Sequence, residues 1–437
     1  MNPTTVSFKT VGCRLNQAET AMIRAGFEAA GYVTVPFGEA CDVSVIHGCL
    51  VTARAEKNSL RLARSSKRRN PDAFVIIAGC VAEIGGESVR RAAGADLVAG
   101  QQDKYVLPAL LASHGFPDNT PTFAPEATHP QPLYGETYGP VLTPRFDTKR
   151  AIVKIQDGCE FYCAYCIVPR ARGRCRSRPL TKILDEIRGL AGAGHREIVL
   201  TGANIGCYNE QGRRLADLLE LVETETPVER IRISSLAITT AERVVINFTA
   251  ASENLCRFLH LPLQSGCDTV LAAMDRRYSA RQYRETIEYA LDKIGPFGLS
   301  TDVLAGFPGE DAAAFNETER FLDSLPFSNL HVFAYSPRPG TPAASRGEQV
   351  AEPEKRRRVA HLIALGKRRR TEFARQWIGR DVQVLIETVD ASGRGKGWSG
   401  EYLPACISGR QLRPNSMVRF RPEATEGEVL IGQVTGG

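Results

Sequence analysis

Two runs of alternating strand-like and helix-like segments occupy most of this chain, and they restrict its fold more than any other feature. In the first, strand patterns at 6–11, 43–47, 74–78 and 97–99 enclose helical patterns at 17–30, 54–69 and 81–93. Strands that each run into a helix pair in parallel, so this run predicts an α/β domain over 1–112 built on a doubly wound parallel sheet. The stretch 114–144 holds seven prolines and little periodicity, which predicts a linker over 113–144.

The second run places strands at 151–155, 197–201, 230–234, 258–263, 299–304 and 330–334, with helices such as 181–193, 280–294 and 312–325 between them. Six βα units predict a partial (β/α)6 barrel over 145–375, open where a full barrel would have two more. Beyond residue 376, apolar and polar residues alternate (Val382, Val384, Ile386; Val418, Phe420) between Gly-rich turns. That pattern predicts a small β-barrel over 376–437.

Composition narrows the class. With 43% apolar and 24% charged residues the chain is neither disordered nor collagen-like. No run of ~18 uncharged apolar residues is present, so no transmembrane helix and no membrane partner are expected. Residues 1–17 lack a basic stretch followed by an apolar one, and a cytoplasmic location follows as the expectation. In a reducing compartment the twelve cysteines are thiols or metal ligands rather than a disulfide framework.

The strongest chemical signal is Cys159-Glu160-Phe161-Tyr162-Cys163-Ala164-Tyr165-Cys166, in the loop after the first strand of the second run. Three thiolates at this spacing can hold three irons of a cubane and leave the fourth iron open. A structural zinc site would want a fourth ligand, and only Cys175 lies near in sequence. Cys13, Cys49 and Cys80 each follow a strand of the first run. The carboxyl ends of parallel strands share one edge, so these three thiols can converge as a second cluster site or remain buried structural cysteines.

The pattern Cys-x3-Cys-x2-Cys with Tyr165 before its last cysteine resembles the signature of the radical S-adenosylmethionine enzymes, in which the open iron binds the amino and carboxylate groups of S-adenosylmethionine. Within that superfamily, Gly12-Cys13-Arg14-Leu15-Asn16-Gln17-Ala18-Glu19, Gly48-Cys49-Leu50-Val51-Thr52 and Ala78-Gly79-Cys80-Val81-Ala82-Glu83 resemble the three cysteine motifs of the methylthiotransferases. The resemblance covers essentially the whole chain. It implies two 4Fe-4S clusters, ligated by Cys13, Cys49 and Cys80 and by Cys159, Cys163 and Cys166, with a C-terminal RNA-binding TRAM domain. His47-Gly48 departs from the family's usual Asn-Thr, and Ala237-Ile238 from its usual Glu-Pro. The other six cysteines, 41, 175, 207, 256, 267 and 406, match no ligand motif and are read as structural.

Further segments at strand ends resemble those of the family: Leu200 to Asn204, Ser234 to Leu236, Leu261 to Gly266 and Thr301 to Glu310. They make Gly202, Asn204, Ser234, Gln264 and Asp302, together with Tyr165, candidates for holding S-adenosylmethionine, with turn or packing roles as the alternative. Arg170, Arg172, Arg174, Arg176 and Arg178 recur at every second position, which an extended backbone would place on one side, against a cofactor carboxylate, RNA phosphate or solvent.

Charge is uneven: the net +6 is concentrated in residues 355–380, which hold ten Lys or Arg against one acid, Glu372. Two blocks, Lys355 with Arg356, Arg357 and Arg358, and Lys367 with Arg368, Arg369 and Arg370, would lie about 18 Å apart on a helix. With Arg394, Lys396, Trp398, Tyr402, Arg419 and Arg421 of the small barrel they are read as an RNA-binding face, a solvated helix face being the alternative.

The resemblance implies an enzyme that replaces an inert aromatic C–H by C–SCH3 on a tRNA nucleotide. One S-adenosylmethionine would methylate sulfur on the first-domain cluster, and a second would be cleaved to a 5′-deoxyadenosyl radical at the barrel cluster. Gly12 to Gln17, Val153 to Gly158 and His331 to Gly340 look most like the MtaB branch, which acts on carbon 2 of N6-threonylcarbamoyladenosine at tRNA position 37. Branches acting on isopentenyladenosine or on a ribosomal-protein aspartate are the alternatives, and a non-catalytic RNA-binding iron-sulfur protein is the alternative outside the family. An electron donor such as flavodoxin or ferredoxin and a sulfur source are the further partners expected.

Overall fold

A computed structural model describes residues 3–116, 144–146, 148–409 and 411–434. The expected linker therefore lies, apart from 113–116 and 144, outside the described residues. The first domain is a five-stranded, wholly parallel sheet with strand order Val33–Val35, Thr5–Thr10, Val43–Gly48, Phe74–Gly79, Leu97–Ala99. Its central strand is buried at every position, as a sheet covered on both faces requires. The three-residue edge strand Val33–Val35 was not expected, because so short a segment shows no alternation. The helix read as starting at residue 17 begins at Arg14, since Cys13 already has the extended backbone of an N-cap.

The second run forms two three-stranded parallel sheets, in the orders Arg230–Ile233, Glu197–Thr201, Arg150–Lys154 and Phe258–His260, Gly298–Ala305, Asn329–Ala334. A parallel bridge between Ile231 and Leu255 joins them into one six-stranded arc. Leu180, Ile183, Ile187 and Leu190 of the helix Leu180–Gly192 recur at helical spacing and pack on Val153, Ile198 and Leu200, which makes the largest apolar core. The open side of the arc meets the first domain, where Ala18 of the helix Arg14–Ala29 packs on Ile152 and Val199.

The C-terminal strands close into a five-stranded barrel in the order Val382–Val389, Gly395–Ser399, Pro404–Ser408, Val429–Val434, Met417–Glu426. Phe373, Ala374 and Trp377, at and just past the end of the helix Glu352–Arg375, enter its core. The small barrel is clamped to the amino-terminal ends of the arc's strands. Glu197 there is fully buried between Arg230 and Arg232, and these guanidinium groups donate onward to the carbonyls of Gln383, Trp398, Ser399 and Gly400.

Burial alone would raise the Glu197 carboxyl, but Arg232 and Arg230 hold it at about 2. With its native pKa below the ordinary carboxylate value, its stabilisation is complete above pH ~4.3 and is lost as pH falls toward about 2. Glu197→Gln is expected to cost about 3 kcal/mol, the lower end for a broken buried pair, because both arginines keep their carbonyl acceptors. Urea unfolding at neutral pH measures the loss, and the variant's stability should fall less steeply in acid.

Candidate functional site

The parallel sheet brings the ends of three strands to one edge, and each end carries one thiol of the first triad. Cys13 precedes its helix, Cys49 follows Gly48, and Cys80 opens the helix Cys80–Ala93. Gly12 lets two of them approach. Its φ of +122° suits glycine, and a Cβ there would lie 2.8 Å from Cys49 Cβ and 3.1 Å from its Sγ. Burial pushes the Cys13 thiol up and the Cys49 thiol up to about 11, while Arg172 opposes both shifts.

The second triad lies in the loop beyond Gln156–Asp157. Cys159 N–H donates to Gly173 O (3.0 Å), Cys166 N–H to Cys163 O (2.9 Å), and Ala164 N–H to Met274 O (2.9 Å). Arg276 donates to Cys163 Sγ at 3.4 Å. Burial pushes the Cys166 thiol up to about 12.

One cavity of about 450 Å³ joins the two triads. Its walls include Gly12, Cys13 and Cys49 from the sheet edge, Tyr165 and Cys166 from the loop, and Gln264 and Asp302 from the arc. Val51, Ile167, Leu304 and Phe333 make much of the rest apolar. Among the described residues no three His, Cys, Asp or Glu converge tightly enough for a single metal ion. A cubane spreads three thiolate ligands over three irons, and the cavity is faced by Cys13 and Cys49 of one triad and Cys166 of the other.

Of the other candidates, Gln264 holds φ +70°, an uncommon conformation for a non-glycine residue that is fixed by hydrogen bonds to Asp302 O and from Leu304 N–H. Asp302 sits 3.1 Å from His260 Nε2. Its carboxyl, which burial would raise, is lowered by that histidine. Gly202 leaves room for Gln156, whose side-chain carbonyl accepts from Asn204 N–H at 2.8 Å. Asn204 Oδ1 and Ser234 Oγ are buried without a hydrogen-bond partner among the described residues. Native proteins seldom leave such atoms bare, so both fit a polar ligand at these strand ends.

The arginine series does not form a one-sided row. Residues 168–172 are helical, which turns Arg170 outward to Pro339 O (3.0 Å) and Arg172 inward, while Arg178 is buried against Glu186. Arg172 belongs to a buried ionic network that spans both domains. It donates to Glu19 Oε1 (2.9 Å) and Oε2 (3.0 Å), to Asp157 Oδ1 (2.9 Å) and to Asn16 Oδ1 (3.0 Å). Lys154 reaches Glu19 and Asp157 at 2.6 Å each, and Lys104 reaches Glu19 at 2.8 Å.

This network touches the first triad twice. The Cys13 thiol donates to Asn16 Oδ1 at 3.6 Å, and Gln101, bonded to Lys104, donates to Cys80 Sγ at 3.4 Å. His47 is buried beside it, with Thr20 Oγ1 2.9 Å from Nδ1, and burial and then Lys104 depress it to about 3, so it is neutral at physiological pH. Sequence reasoning missed Glu19, Lys104, Asp157, His260 and Arg276. The available signals were Asn16 and Glu19 three residues apart on one helix face, and the place of Glu19 and Asp157 within segments that resemble the family.

The expected RNA face is largely engaged within the protein. Arg358 is buried and bonded to Glu310 (2.6 Å), so it is withdrawn from any phosphate, and Lys355 is buried against Glu352. Arg357 pairs with Glu354, Arg368 with Asp323, Arg369 with Glu372, and Arg370 with Glu428. Arg356 and Lys367 are exposed and make no ion pair among the described residues. In the small barrel Lys396 is exposed and Arg394 lies 3.3 Å from Asp390. Trp398 and Tyr402 instead stack on each other, with Arg150 over both rings and Arg232 4.7 Å from the Tyr402 centroid, at the domain seam.

Residues 153–322 match the Radical SAM superfamily and residues 5–100 match the Uncharacterized protein family UPF0004. The chain is 34% identical over 424 residues (95% of it, 93% of the relative) to the threonylcarbamoyladenosine tRNA methylthiotransferase MtaB of Bacillus subtilis. It is 32% identical to the protein of the same name from Thermotoga maritima, over 97% of this chain and 96% of that one. To the tRNA-2-methylthio-N(6)-dimethylallyladenosine synthase of Chlorobium limicola it is 33% identical, again over 97% and 96%. Among solved structures, the radical S-adenosylmethionine methyltransferase TsrM of Kitasatospora setae superposes with TM-score 0.58 at 15% identity, covering 79% of this chain and 77% of that one, which is a likeness of fold. No helix among the described residues is long and apolar enough to cross a membrane. Signature loop, paired domains and full-length relatives agree, and the chain belongs to the radical S-adenosylmethionine methylthiotransferase family.

Proposed function

We propose that this enzyme converts N6-threonylcarbamoyladenosine at position 37 of tRNA to its 2-methylthio derivative. The observation that carries the reading is the single cavity in which Cys13 and Cys49 share walls with Tyr165 and Cys166, so that a sulfur-bearing site and a radical-generating site face one substrate. Cys159, Cys163 and Cys166 would hold a 4Fe-4S cluster able to deliver the electron for reductive cleavage of S-adenosylmethionine, and Cys13, Cys49 and Cys80 would hold one that carries the sulfur to be transferred.

The chain's own residues do the rest. Asn204 and Ser234 offer buried oxygens to S-adenosylmethionine, and Tyr165, Gly202, Gln264 and Asp302 shape its surroundings. Arg172, within the electrostatic reach of Cys13 and Cys49, offsets the negative charge of the thiolates. The apolar walls exclude water, which protects a radical from side reactions. His260 keeps the Asp302 carboxylate ionised at the cavity wall. Residues 1–112, 145–375 and 376–437 act as the sulfur-bearing, radical-generating and RNA-binding domains, with flavodoxin or ferredoxin as electron donor and a separate source of sulfur.

The threonylcarbamoyl substrate follows the names of several relatives at 32–34% identity, and the dimethylallyladenosine reading stands second because proteins so named match at 33–34%. Mass spectrometry of nucleosides from cells with and without the gene separates them. Loss of 2-methylthio-N6-threonylcarbamoyladenosine alone is the expected result. Loss of the methylthiolated isopentenyl nucleoside instead would overturn the assignment.

A further inference from the structure

The helix Ala53–Arg69 carries seven Lys or Arg and a single acid, Glu56, which is engaged by Arg338. Arg54, Lys57, Arg61, Arg64 and Arg68 follow one another at intervals of three and four residues. That spacing aligns them along one face for about 21 Å. All five are exposed, and among the described residues none makes an ion pair. The polar groups they meet are neutral: Arg61 donates to Asn58 Oδ1 at 2.8 Å and Arg64 to Ala92 O at 3.0 Å. Packing uses the opposite face, through Ser59, Ala63 and Ser66. Like charges at these spacings repel and weaken a helix, so folding gives no reason for the row.

Its position supplies a reason. Thr52 and Ala55 line the cavity between the triads, and the same two residues line an adjoining open recess of about 530 Å³ completed by Arg54, Lys57, Asn58 and Arg61. Ala53 N–H donates to Ser336 Oγ at 3.1 Å, which fixes this end of the helix to the cavity wall. The row of uncompensated cations therefore starts at the mouth of the cavity and leads away from it. The C-terminal basic helix, by contrast, has most of its cations paired with acids.

We propose that this face of Ala53–Arg69 is a phosphate track for the RNA strand flanking the modified nucleotide, which enters the cavity while successive phosphates lie against Arg54, Lys57, Arg61 and Arg68. The proposal rests on the reading of tRNA as substrate. Phosphate contacts of this kind position a nucleic acid without reading its sequence, which leaves recognition of the base to the cavity.

The test compares Arg54→Gln/Lys57→Gln/Arg61→Gln/Arg68→Gln with a charge-matched control, Lys182→Gln/Arg281→Gln/Arg284→Gln/Lys293→Gln, on helices on the outside of the arc. Circular dichroism and iron content establish that both are folded and loaded. Binding of full-length tRNA is then followed by fluorescence anisotropy between about 50 and 200 mM salt. The track variant should bind at least about tenfold more weakly, with a plot of log K against log salt flatter by about one unit for each phosphate that is no longer neutralised. The control should keep the wild-type affinity and slope. Wild-type affinity and slope in the track variant would overturn the track, assign the row to solvent or to an acidic protein partner, and leave the tRNA reading intact. Failure of the wild-type protein to bind any tRNA would overturn both.

Discussion

Replacing Cys13, Cys49 and Cys80 together by Ala should leave an enzyme that still releases 5′-deoxyadenosine from S-adenosylmethionine and reductant but forms no methylthio product, while replacing Cys159, Cys163 and Cys166 should abolish both. The asymmetry follows from where the two sets lie. The first sits on the edge of the five-stranded sheet, held by the strand ends at Val11, Gly48 and Gly79, and the second in a loop of the arc pinned by Gly173 and Met274. Neither backbone needs the other's thiols. Anaerobically prepared wild-type protein should hold about eight irons and each triple variant about four, since each triad would ligate one 4Fe-4S cluster.

Loss of a cluster can itself destabilise the domain that holds it, so circular dichroism and thermal melting accompany the iron count. A folded Cys13, Cys49, Cys80 variant that still methylthiolates tRNA would show that the sulfur comes from elsewhere. Equal loss of 5′-deoxyadenosine from both variants, with both folded, would show that the shared cavity couples the two sites more tightly than its geometry implies.

What could be read from the sequence was whatever repeats locally. The βα alternation gave the parallel sheet and the six-stranded arc, and the apolar-polar alternation beyond residue 376 gave the small barrel, because periodicity is written into each segment. The spacing of Cys159, Cys163 and Cys166 marked one site, and the rule that strand ends share an edge gathered Cys13, Cys49 and Cys80. Pairings between distant segments were not legible. Arg172 looked like one member of an exposed row until the turn of helix at 168–172 directed it to Glu19, 153 residues away. Asp323, Glu310 and Glu428, which pair with Arg368, Arg358 and Arg370 of the basic helix, come from other elements and could not be read from the helix alone. Trp398 and Tyr402 similarly meet Arg150 and Arg232 only once the small barrel docks.

Glu19→Gln should be the most destabilising single substitution in the protein, at about 5 kcal/mol, the upper end for removing one member of a buried ionic cluster. Glu19 is fully buried and faces Arg172, Lys154 and Lys104, which hold its carboxyl well below the usual range although burial alone would raise it. Asp157, likewise held low, would remain paired with Lys154 and Arg172. Unlike Arg230 and Arg232 at the other seam, Lys104 has few alternatives, with the Gln101 side chain as its other acceptor.

Lys104 also gives the variant a distinctive pH dependence. Burial depresses Lys104 to about 8, and Glu19 is the main group opposing that shift. An unfolded lysine keeps its proton up to about pH 10.4, so between the native and unfolded values the unfolded state binds more protons and stability rises with pH. In the wild type this window opens near pH 8. Without Glu19 it should open lower, so the variant should gain stability across neutral pH where Lys104 leaves the wild type unchanged. At acid pH it is the wild type whose stability changes. Wild-type Glu19 is stabilising only while ionised, so the difference between the two proteins should shrink as pH falls below about 4.3. Urea unfolding from about pH 2 to 9 measures both limbs, and a difference independent of pH would mean that Glu19 acts through packing and not through its charge.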